Sequence, residues 1–158
     1  MGVEIERKFL VVDDSWRAGV VAAHRIVQGY LADEGELTVR VRIKGDHGFL
    51  TLKGRTQGIS RNEYEYEIPV ADAEAMLADF ATGPVVEKTR HLIDVDGHVW
   101  ELDVFAGDNE GLVMAEIELA SADEVFTLAS WAGEEVTDDS RYYNVNLARH
   151  PFRQWGRS

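Results

Sequence analysis

Charged and apolar side chains alternate along one stretch of this chain after another, and this alternation most constrains its fold. In residues 3–11, Glu4, Glu6 and Lys8 alternate with apolar residues, with Arg7 as the exception. Because successive side chains of a β-strand point to opposite faces, a period of two predicts strands with one ionic and one apolar face. The pattern predicts eight strands, over residues 3–11, 25–31, 37–44, 49–53, 62–68, 85–95, 99–105 and 113–119.

Two short glycine-containing segments, residues 44–48 and 94–98, lie between predicted strands. Glycine, and more weakly aspartate, adopts the positive φ that tight hairpin turns need, so the strands on either side are predicted to be antiparallel. Eight strands are enough for a sheet to close on itself. The sequence therefore predicts a mainly β (α+β) protein, an eight-stranded antiparallel closed β-barrel that forms a tunnel, with a few helices packed outside.

The expected helices are few and short. Apolar residues at helical spacing predict a helix over residues 71–80, and Ser121 with Glu124 has the pattern of a capping box, which predicts another over residues 121–129. A last helix is predicted over residues 144–150, ended by Pro151. Residues 13–18 are predicted to form a further turn.

Length, net charge and cysteine content restrict the domain organisation, partners and metal ligands that this chain can have. With 158 residues the chain is expected to form one domain, residues 1–158. A net charge of −13 repels the phosphates of nucleic acid and anionic lipid, so neither nucleic acid nor membrane is an expected partner. There is no cysteine, so any metal must be bound by oxygen or histidine ligands. The chain has no long apolar run near its start, which predicts a cytoplasmic location. A monomer and a homodimer both remain open.

The charges on the ionic faces are sorted by sign. Arg40 and Arg42 share one strand, whereas Glu116 and Glu118 share another. For a single strand, a face in contact with solvent is the simpler interpretation. Like charges two residues apart repel each other, however, and ordinary surfaces mix both signs. If the ionic faces line the inside of the barrel, the acids require a cation and the bases a polyanion. A metal-bound polyphosphate supplies both.

Residues 3–11, Val-Glu-Ile-Glu-Arg-Lys-Phe-Leu-Val, contain a Glu-x-Glu-x-Lys motif and resemble the CYTH superfamily, the triphosphate tunnel metalloenzymes. The resemblance continues in order through residues 28–31, 40–42, 51–53, 61–65, 87–90, 100–105, 115–119 and 135–137. It implies a single tunnel domain of eight antiparallel strands that cleaves triphosphates with Mg²⁺ or Mn²⁺. Inorganic tripolyphosphate, thiamine triphosphate and nucleoside triphosphates are substrates within the family, and one branch cyclises ATP.

The motif positions suggest roles for the charged residues. Carboxylates are the ligands that hard divalent ions prefer, and basic side chains bind phosphates. The predicted metal ligands are Glu4, Glu6, Asp103, Glu116 and Glu118. The predicted phosphate-binding bases are Lys8, Arg40, Arg42, Lys53, Lys88 and Arg90. Glu63 and Glu65 are placed in the substrate site, where they orient these bases or contact a second metal; a purely structural pairing with the bases explains them equally well. The predicted catalytic residues are Glu4, Glu6 and Lys8. Glu67 and Glu101 are interpreted as solvated or ion-paired acids.

The sequence thus predicts a metal-dependent triphosphatase with a small-molecule triphosphate substrate. Inorganic tripolyphosphate comes first because no feature indicates a pocket for a nucleobase or a thiazolium ring. A class IV type adenylate cyclase, a thiamine or nucleoside triphosphatase, and a polyphosphate-binding module without catalysis remain alternatives. By the resemblance, the tail with Tyr142, Tyr143 and Asn146 crosses or plugs one tunnel mouth, although packing explains these residues equally well.

Overall fold

The computed structural model describes residues 2–33, 36–55, 57 and 59–155, so the remaining residues of the predicted domain lie outside the described part. Within that part the chain forms nine strands and two α-helices. The strands are β1 (Gly2–Val11), β2 (Val20–Ala32), β3 (Thr38–Lys44), β4 (His47–Lys53), β5 (Ser60–Ile68), β6 (Val86–Val95), β7 (His98–Phe105), β8 (Val113–Glu118) and β9 (Ala132–Glu135). The helices are α1 (Val70–Phe80) and α2 (Asn144–Arg149).

Eight of the strands form a closed ring. Their order is β5-β4-β3-β2-β6-β7-β8-β1, and β1 pairs back with β5, with every pairing antiparallel. Residues 2–5 of β1 pair with β5, and the end of β1 pairs with β9, which is attached outside the ring. The predicted eight-stranded antiparallel barrel is confirmed, and β9 is an additional strand that the alternation did not reveal.

The two predicted hairpin turns are present. Gly45 has a φ of +60° between β3 and β4, and Asp96 and Gly97 have φ values of +49° and +87° between β6 and β7. The predicted helix over residues 71–80 corresponds to α1, and the helix expected before Pro151 corresponds to α2. At residues 13–18 the chain forms a 3₁₀ turn, Ser15–Gly19.

Helix α1 covers the outer apolar face of β2, β3 and β4 at very short range. A Cβ atom at Gly29 would lie 2.8 Å from Leu77 of the helix, and one at Gly48 would lie 3.0 Å from Ala73. Glycine at these two positions lets the helix approach the strands closely. The apolar faces therefore point outward, toward α1, and the ionic faces point into the barrel.

The largest apolar cluster also lies outside the ring, on β1, β6, β7 and β8. Trp100 is fully buried at its centre, in edge-on contact with Trp131 and Phe126 at ring-centroid distances of 5.3 and 5.9 Å. Both covering residues come from the connection between β8 and β9. Arg7, the exception to the alternation, stands over the Phe126 ring and pairs with Glu135 of β9.

The helix predicted over residues 121–129 is wrong, because this connection has no regular secondary structure. The Ser121 hydroxyl donates to Asp123 rather than capping a helix, and Glu124 accepts hydrogen bonds from the Ala120 backbone and contacts His98 at 2.6 Å. Packing against Trp100 outweighs the local capping signal in this segment.

A second apolar cluster closes one end of the barrel. Leu147 and Ala148 of α2 are buried against inward-facing side chains from four strand ends, among them Tyr30 and Met114. The tail plugs this mouth, as the family resemblance implied. Among the described residues, no helix is both long and apolar enough to cross a membrane.

Candidate active site

The inward-facing charges surround one cavity of about 260 Å³ in the barrel. Twelve of the thirteen predicted site residues line it: Glu4, Glu6, Lys8, Arg40, Arg42, Lys53, Glu63, Glu65, Lys88, Arg90, Glu116 and Glu118. The thirteenth, Asp103, is fully buried behind the wall and contacts two of the lining bases. Charges from widely separated stretches of sequence therefore meet in a single volume.

Four carboxylates from two neighbouring strands form what we call the acidic wall: Glu4, Glu6, Glu116 and Glu118. Glu6 lies directly opposite Glu118 in the β1–β8 ladder. Burial, together with the carboxylate of Glu116, raises the pKa of Glu6, and burial raises the pKa of Glu118 with Glu4 and Glu101 adding to the effect. Burial also raises the pKa of Glu4, whereas Lys8, Arg90 and Lys88 lower the pKa of Glu116 although its burial alone would raise it. Glu4, Glu6 and Glu118 therefore favour the charged form less than a free carboxyl does.

Two lysines lie between carboxylates of this region. Lys8 Nζ is 2.8 Å from Glu6 and 3.0 Å from Glu116, and these two acids raise the pKa of Lys8 although its burial alone would lower it. Lys53 Nζ is 3.1 Å from Glu4 and 3.4 Å from Glu63. Among the described residues, no three acidic or histidine side chains converge closely enough to surround a metal ion.

Four bases from two other strands form the basic wall: Arg40, Arg42, Lys88 and Arg90. In the eight-strand ring β3, which carries Arg40 and Arg42, lies four places from β8, so the two arginines face the acidic wall. Burial lowers the pKa of Arg42 to about 9, and the neighbouring Arg40 and Arg90 contribute. Arg40 Nε is buried without a hydrogen-bond partner among the described residues. The basic wall therefore has positive charge and N–H donors that its neighbours do not fully satisfy.

Asp103 is the buried counterion of the basic wall. Its two oxygens accept hydrogen bonds from Arg90 Nε and Nη2, and one of them also lies 2.8 Å from Lys88 Nζ. These cations lower the pKa of Asp103 despite its burial. Asp103 is thus the shared counterion of Lys88 and Arg90. Burial lowers the pKa of Lys88 to about 7, and the positive charges of Arg90 and Arg42 contribute to this shift.

Glu63 and Glu65 both contact bases, which is compatible with the orienting role and with the structural pairing that the sequence left open. Glu65 lies 3.5 Å from Arg40 and accepts a hydrogen bond from Thr51, and Glu63 contacts Lys53. Glu67, interpreted as a solvated acid, is exposed and contacts His47 outside the cavity lining.

Several residues that line the cavity were not among the site residues predicted from the sequence. Glu101 was interpreted as a solvated or ion-paired acid, and it does pair with Arg90 at 3.2 Å, but it also lines the cavity. Arg61 has the same strand face as Glu63, so the alternation could have identified it. The other lining residues that sequence reasoning left out are Tyr30, Thr38, Lys44, Ile59, Thr137, Tyr143, Asn144 and Val145. Most of these carry no charge and so gave no signal.

Comparison with known proteins gives concordant matches over nearly the whole chain. A CYTH domain profile matches residues 2–150. An inorganic triphosphatase of Acetivibrio thermocellus is 46% identical over 98% of this chain and 99% of its own length. One from Nitrosomonas europaea is 44% identical over 92% and 96%. A crystal structure of an inorganic triphosphatase superposes with a TM-score of 0.68 at 41% identity, covering 94% of this chain and 95% of that one.

Proposed function

This chain belongs to the CYTH domain family, and we propose that it hydrolyses inorganic tripolyphosphate inside its barrel with the help of Mg²⁺ or Mn²⁺. The observation that carries the proposal is the convergence of acids and bases on one cavity inside the barrel. Arg40 and Arg42 lie across the ring from β8 of the acidic wall, and Arg90 reaches to 3.9 Å from Glu116. The two relatives named as inorganic triphosphatases span nearly the same length, which supports a single catalytic domain over the whole chain.

The basic wall fits a chain of phosphates. Arginine binds phosphate oxygens through two parallel N–H groups, and lysine adds a compact point charge. Arg40 and Arg42 retain donors that no carboxylate occupies, because Arg42 is held by the amide of Gln28 and Arg40 Nε has no partner among the described residues. A bound polyanion would offset the burial and the repulsion by Arg40 and Arg90 that together lower the pKa of Arg42.

The acidic wall has the donor chemistry of a magnesium or manganese site. Both ions prefer carboxylate oxygens and water. We propose that Glu4, Glu6, Glu116 and Glu118 hold the metal, after small rotations that move Lys8 and Lys53 from between them toward the substrate. Asp103 was also predicted as a ligand; both of its oxygens bind bases, which favours a role in holding Arg90 and Lys88 instead. Divalent ions in this position would neutralise phosphate charge and acidify a bound water.

The reaction follows from the position of the two walls. Arg40, Arg42, Lys88 and Arg90 orient the triphosphate so that its terminal phosphorus points toward the acidic wall. Water attacks this phosphorus, the new P–O bond forms as the terminal anhydride bond breaks, and pyrophosphate leaves with the bridging oxygen. Glu4 or Glu6 accepts the proton of the attacking water, and Lys8 stabilises the charge that develops on the transferred group. The products are one orthophosphate and one pyrophosphate, without a covalent intermediate.

A substrate screen tests the proposal. Phosphate release and product identity would be measured with tripolyphosphate, pyrophosphate, ATP and thiamine triphosphate, each with Mg²⁺ and with Mn²⁺. We expect tripolyphosphate to have the highest kcat/KM and to yield equal amounts of orthophosphate and pyrophosphate. Cyclic AMP formed from ATP would instead identify a cyclase. Tight tripolyphosphate binding without release would identify a binding module. The cytoplasmic location, the absence of nucleic acid and membrane partners, and the monomer or homodimer state stay predictions.

A further inference from the structure

The tail that closes the barrel contributes one polar side chain to the phosphate site. Asn144, the first residue of α2, lines the cavity. Its Oδ1 accepts a hydrogen bond from Lys88 Nζ at 3.0 Å and another from Gln28 Nε2 at 3.2 Å. The tail is therefore in direct contact with a base of the basic wall.

Gln28 extends this contact to a second base. Gln28 is fully buried, and its Oε1 accepts a hydrogen bond from Arg42 Nε at 2.9 Å. Its amide nitrogen also lies 3.3 Å from the Tyr30 hydroxyl. Asn144, Gln28 and Arg42 thus form one chain of hydrogen bonds from the tail through β2 to β3.

The chemistry of the partners fixes the direction of every bond in this network. Arginine can only donate, so Arg42 requires the oxygen of Gln28. The nitrogen of the Gln28 amide must then face Asn144. Rotating either amide by half a turn would place two donors against each other, so both side chains are held in one orientation.

A neutral amide holds a base without cancelling its charge. Arg90 is neutralised by a carboxylate, and this ion pair with Asp103 satisfies two of its donors. Arg42 is held by an amide instead, so its full charge and its remaining donors are available to an anion. Loss of the amide acceptors would leave Lys88 held by Asp103 and the face of the Phe105 ring, and would remove the acceptor that holds Arg42 Nε.

Packing fixes the position of Asn144 independently of any ligand. The hydroxyl of Tyr143, the residue before Asn144, donates to the Thr137 carbonyl. One turn further along α2, Leu147 is fully buried in the plug. Asn144 therefore presents its oxygen to the cavity from an anchored backbone.

We propose that Asn144 is a positioning residue of the phosphate site, which orients Lys88 directly and Arg42 through Gln28. The inference rests on the proposed function and extends it, because it makes the tail part of the substrate site rather than only a plug. Asn144 acts through the bases it holds, so its loss should weaken substrate binding more than the chemical step.

The test is the steady-state kinetics of tripolyphosphate hydrolysis at saturating Mg²⁺ in Asn144→Leu, Gln28→Leu and the double variant. Leucine has the branching and the number of side-chain heavy atoms of asparagine and one atom fewer than glutamine, and in both positions it removes the acceptor. We expect Asn144→Leu to raise KM about 10-fold, with kcat changed much less, as for the loss of hydrogen bonds to charged groups. Because the two amides belong to one network, the double variant should raise KM by clearly less than the product of the single effects.

The matched control is Asn146→Leu, which removes a hydrogen bond within the tail but none to a base. It should leave KM within about twofold of the wild type even if its Tm falls. Should Asn144→Leu fail to unfold cooperatively, Asn144→Ala is measured in its place. A KM like that of the wild type in the Asn144 variant, or a fully multiplicative double variant, overturns the inference while the proposed function stands. A wild-type protein that releases no phosphate overturns the proposed function, and this inference with it.

Discussion

Arg90 and Asp103 are joined by two parallel hydrogen bonds deep in the barrel wall, of 2.8 Å from Nε to Oδ1 and 2.9 Å from Nη2 to Oδ2. The pair is almost completely buried, and Lys88 contacts the same carboxylate. One acid from β7 therefore holds two bases of β6 in fixed positions beside the cavity. The geometry of the basic wall depends on this anchor.

Replacing Asp103 should lower the free energy of unfolding substantially. Asp103→Asn removes the carboxylate that Arg90 and Lys88 share. Arg90 keeps Glu101 at 3.2 Å, but Lys88 is left without a contacting carboxylate among the described residues. Breaking a buried pair costs about 3–5 kcal/mol. We expect a loss of that size in the free energy of unfolding, measured by urea titration. Glu74→Gln, on the exposed side of α1, is the matched control and should change it by less than about 0.5 kcal/mol. A loss below about 1 kcal/mol in Asp103→Asn would show that the bases do not need this counterion.

Arg42 should matter for activity and not for stability. Burial and the nearby Arg40 and Arg90 lower its pKa, so its charge is unfavourable in the folded protein. Arg42→Met is expected to reduce kcat/KM for tripolyphosphate at least ~100-fold, while Tm stays unchanged or rises.

Arg25→Met is the control for this change, since Arg25 lies on the outer face of β2 and pairs only loosely with Glu87, at 3.5 Å. It should keep the kinetics of the wild type. A normal kcat/KM in Arg42→Met, or a drop in Tm that accounts for the loss of activity, would contradict the assignment.

Metal binding should be visible as thermal stabilisation. A ligand that binds only the folded state at about 100 times its Kd adds about 2.7 kcal/mol, which corresponds to roughly 5–10 °C in a chain of this size. We expect this shift on adding Mg²⁺ or Mn²⁺ to protein treated with a chelator. It should be largely lost in Glu6→Gln and in Glu118→Gln.

Glu67→Gln provides the comparison, because Glu67 is on the same barrel but contacts His47 outside the cavity lining. Its metal-induced shift should match that of the wild type. Equal shifts in all three variants would place the metal away from the acidic wall.

The irregular connection between β8 and β9 should contribute as much to the free energy of unfolding as a strand or helix of the core. Trp131 is 4% exposed and contacts Trp100, so Trp131→Ala is expected to cost about 3–5 kcal/mol of unfolding free energy. Val125, in the same connection, is 88% exposed, and Val125→Ala should be neutral within about 0.5 kcal/mol. Urea unfolding of both variants measures the difference. Similar small effects would mean that the connection does not cover the barrel.

Glu135 gives a pH-dependent contribution to stability. Hydrogen bonds from Arg7 and Thr137 lower the pKa of Glu135, so its ionised form is favoured in the folded state. That stability is present above the unfolded pKa and disappears as the pH falls through the lower, folded pKa. Glu135→Gln should therefore be less stable than the wild type at pH 7, by on the order of 0.5 kcal/mol for so exposed a pair. The two proteins should converge in acid. A constant difference across the pH range would assign the effect to something other than this charge.

Much of the barrel could be predicted because strand alternation records the direction of each side chain. A charge at every second residue of β1, β3 and β8 places those side chains on one face whatever the rest of the chain does. Glu6, Arg42 and Glu118 therefore share the cavity, as expected from the sequence.

The outer covering could not be predicted in the same way. β9 has only four residues, too few to show a period, and its pairing depends on where β1 ends. The signal at Ser121 and Glu124 is local, whereas the structure of that segment is set by contacts with Trp100 and His98, which are distant in sequence.

The neutral part of the site was also hidden from sequence reasoning. Gln28 and Asn144 carry no charge and lie 116 residues apart, so nothing in the sequence brings them together. Only the plugged end of the barrel places the tail against β2 and β6. The charged residues reveal the chemistry, and the fold supplies the neutral residues that orient them.

The central claim is that the acidic wall binds metal and the basic wall binds phosphate within one cavity. A crystal structure with Mn²⁺ and a non-hydrolysable tripolyphosphate analogue tests it most directly, since the anomalous signal of manganese locates the metal. We predict manganese at Glu4, Glu6, Glu116 and Glu118, with the phosphates on Arg40, Arg42, Lys88 and Arg90. An analogue bound outside the barrel, or manganese away from these carboxylates, would contradict the account.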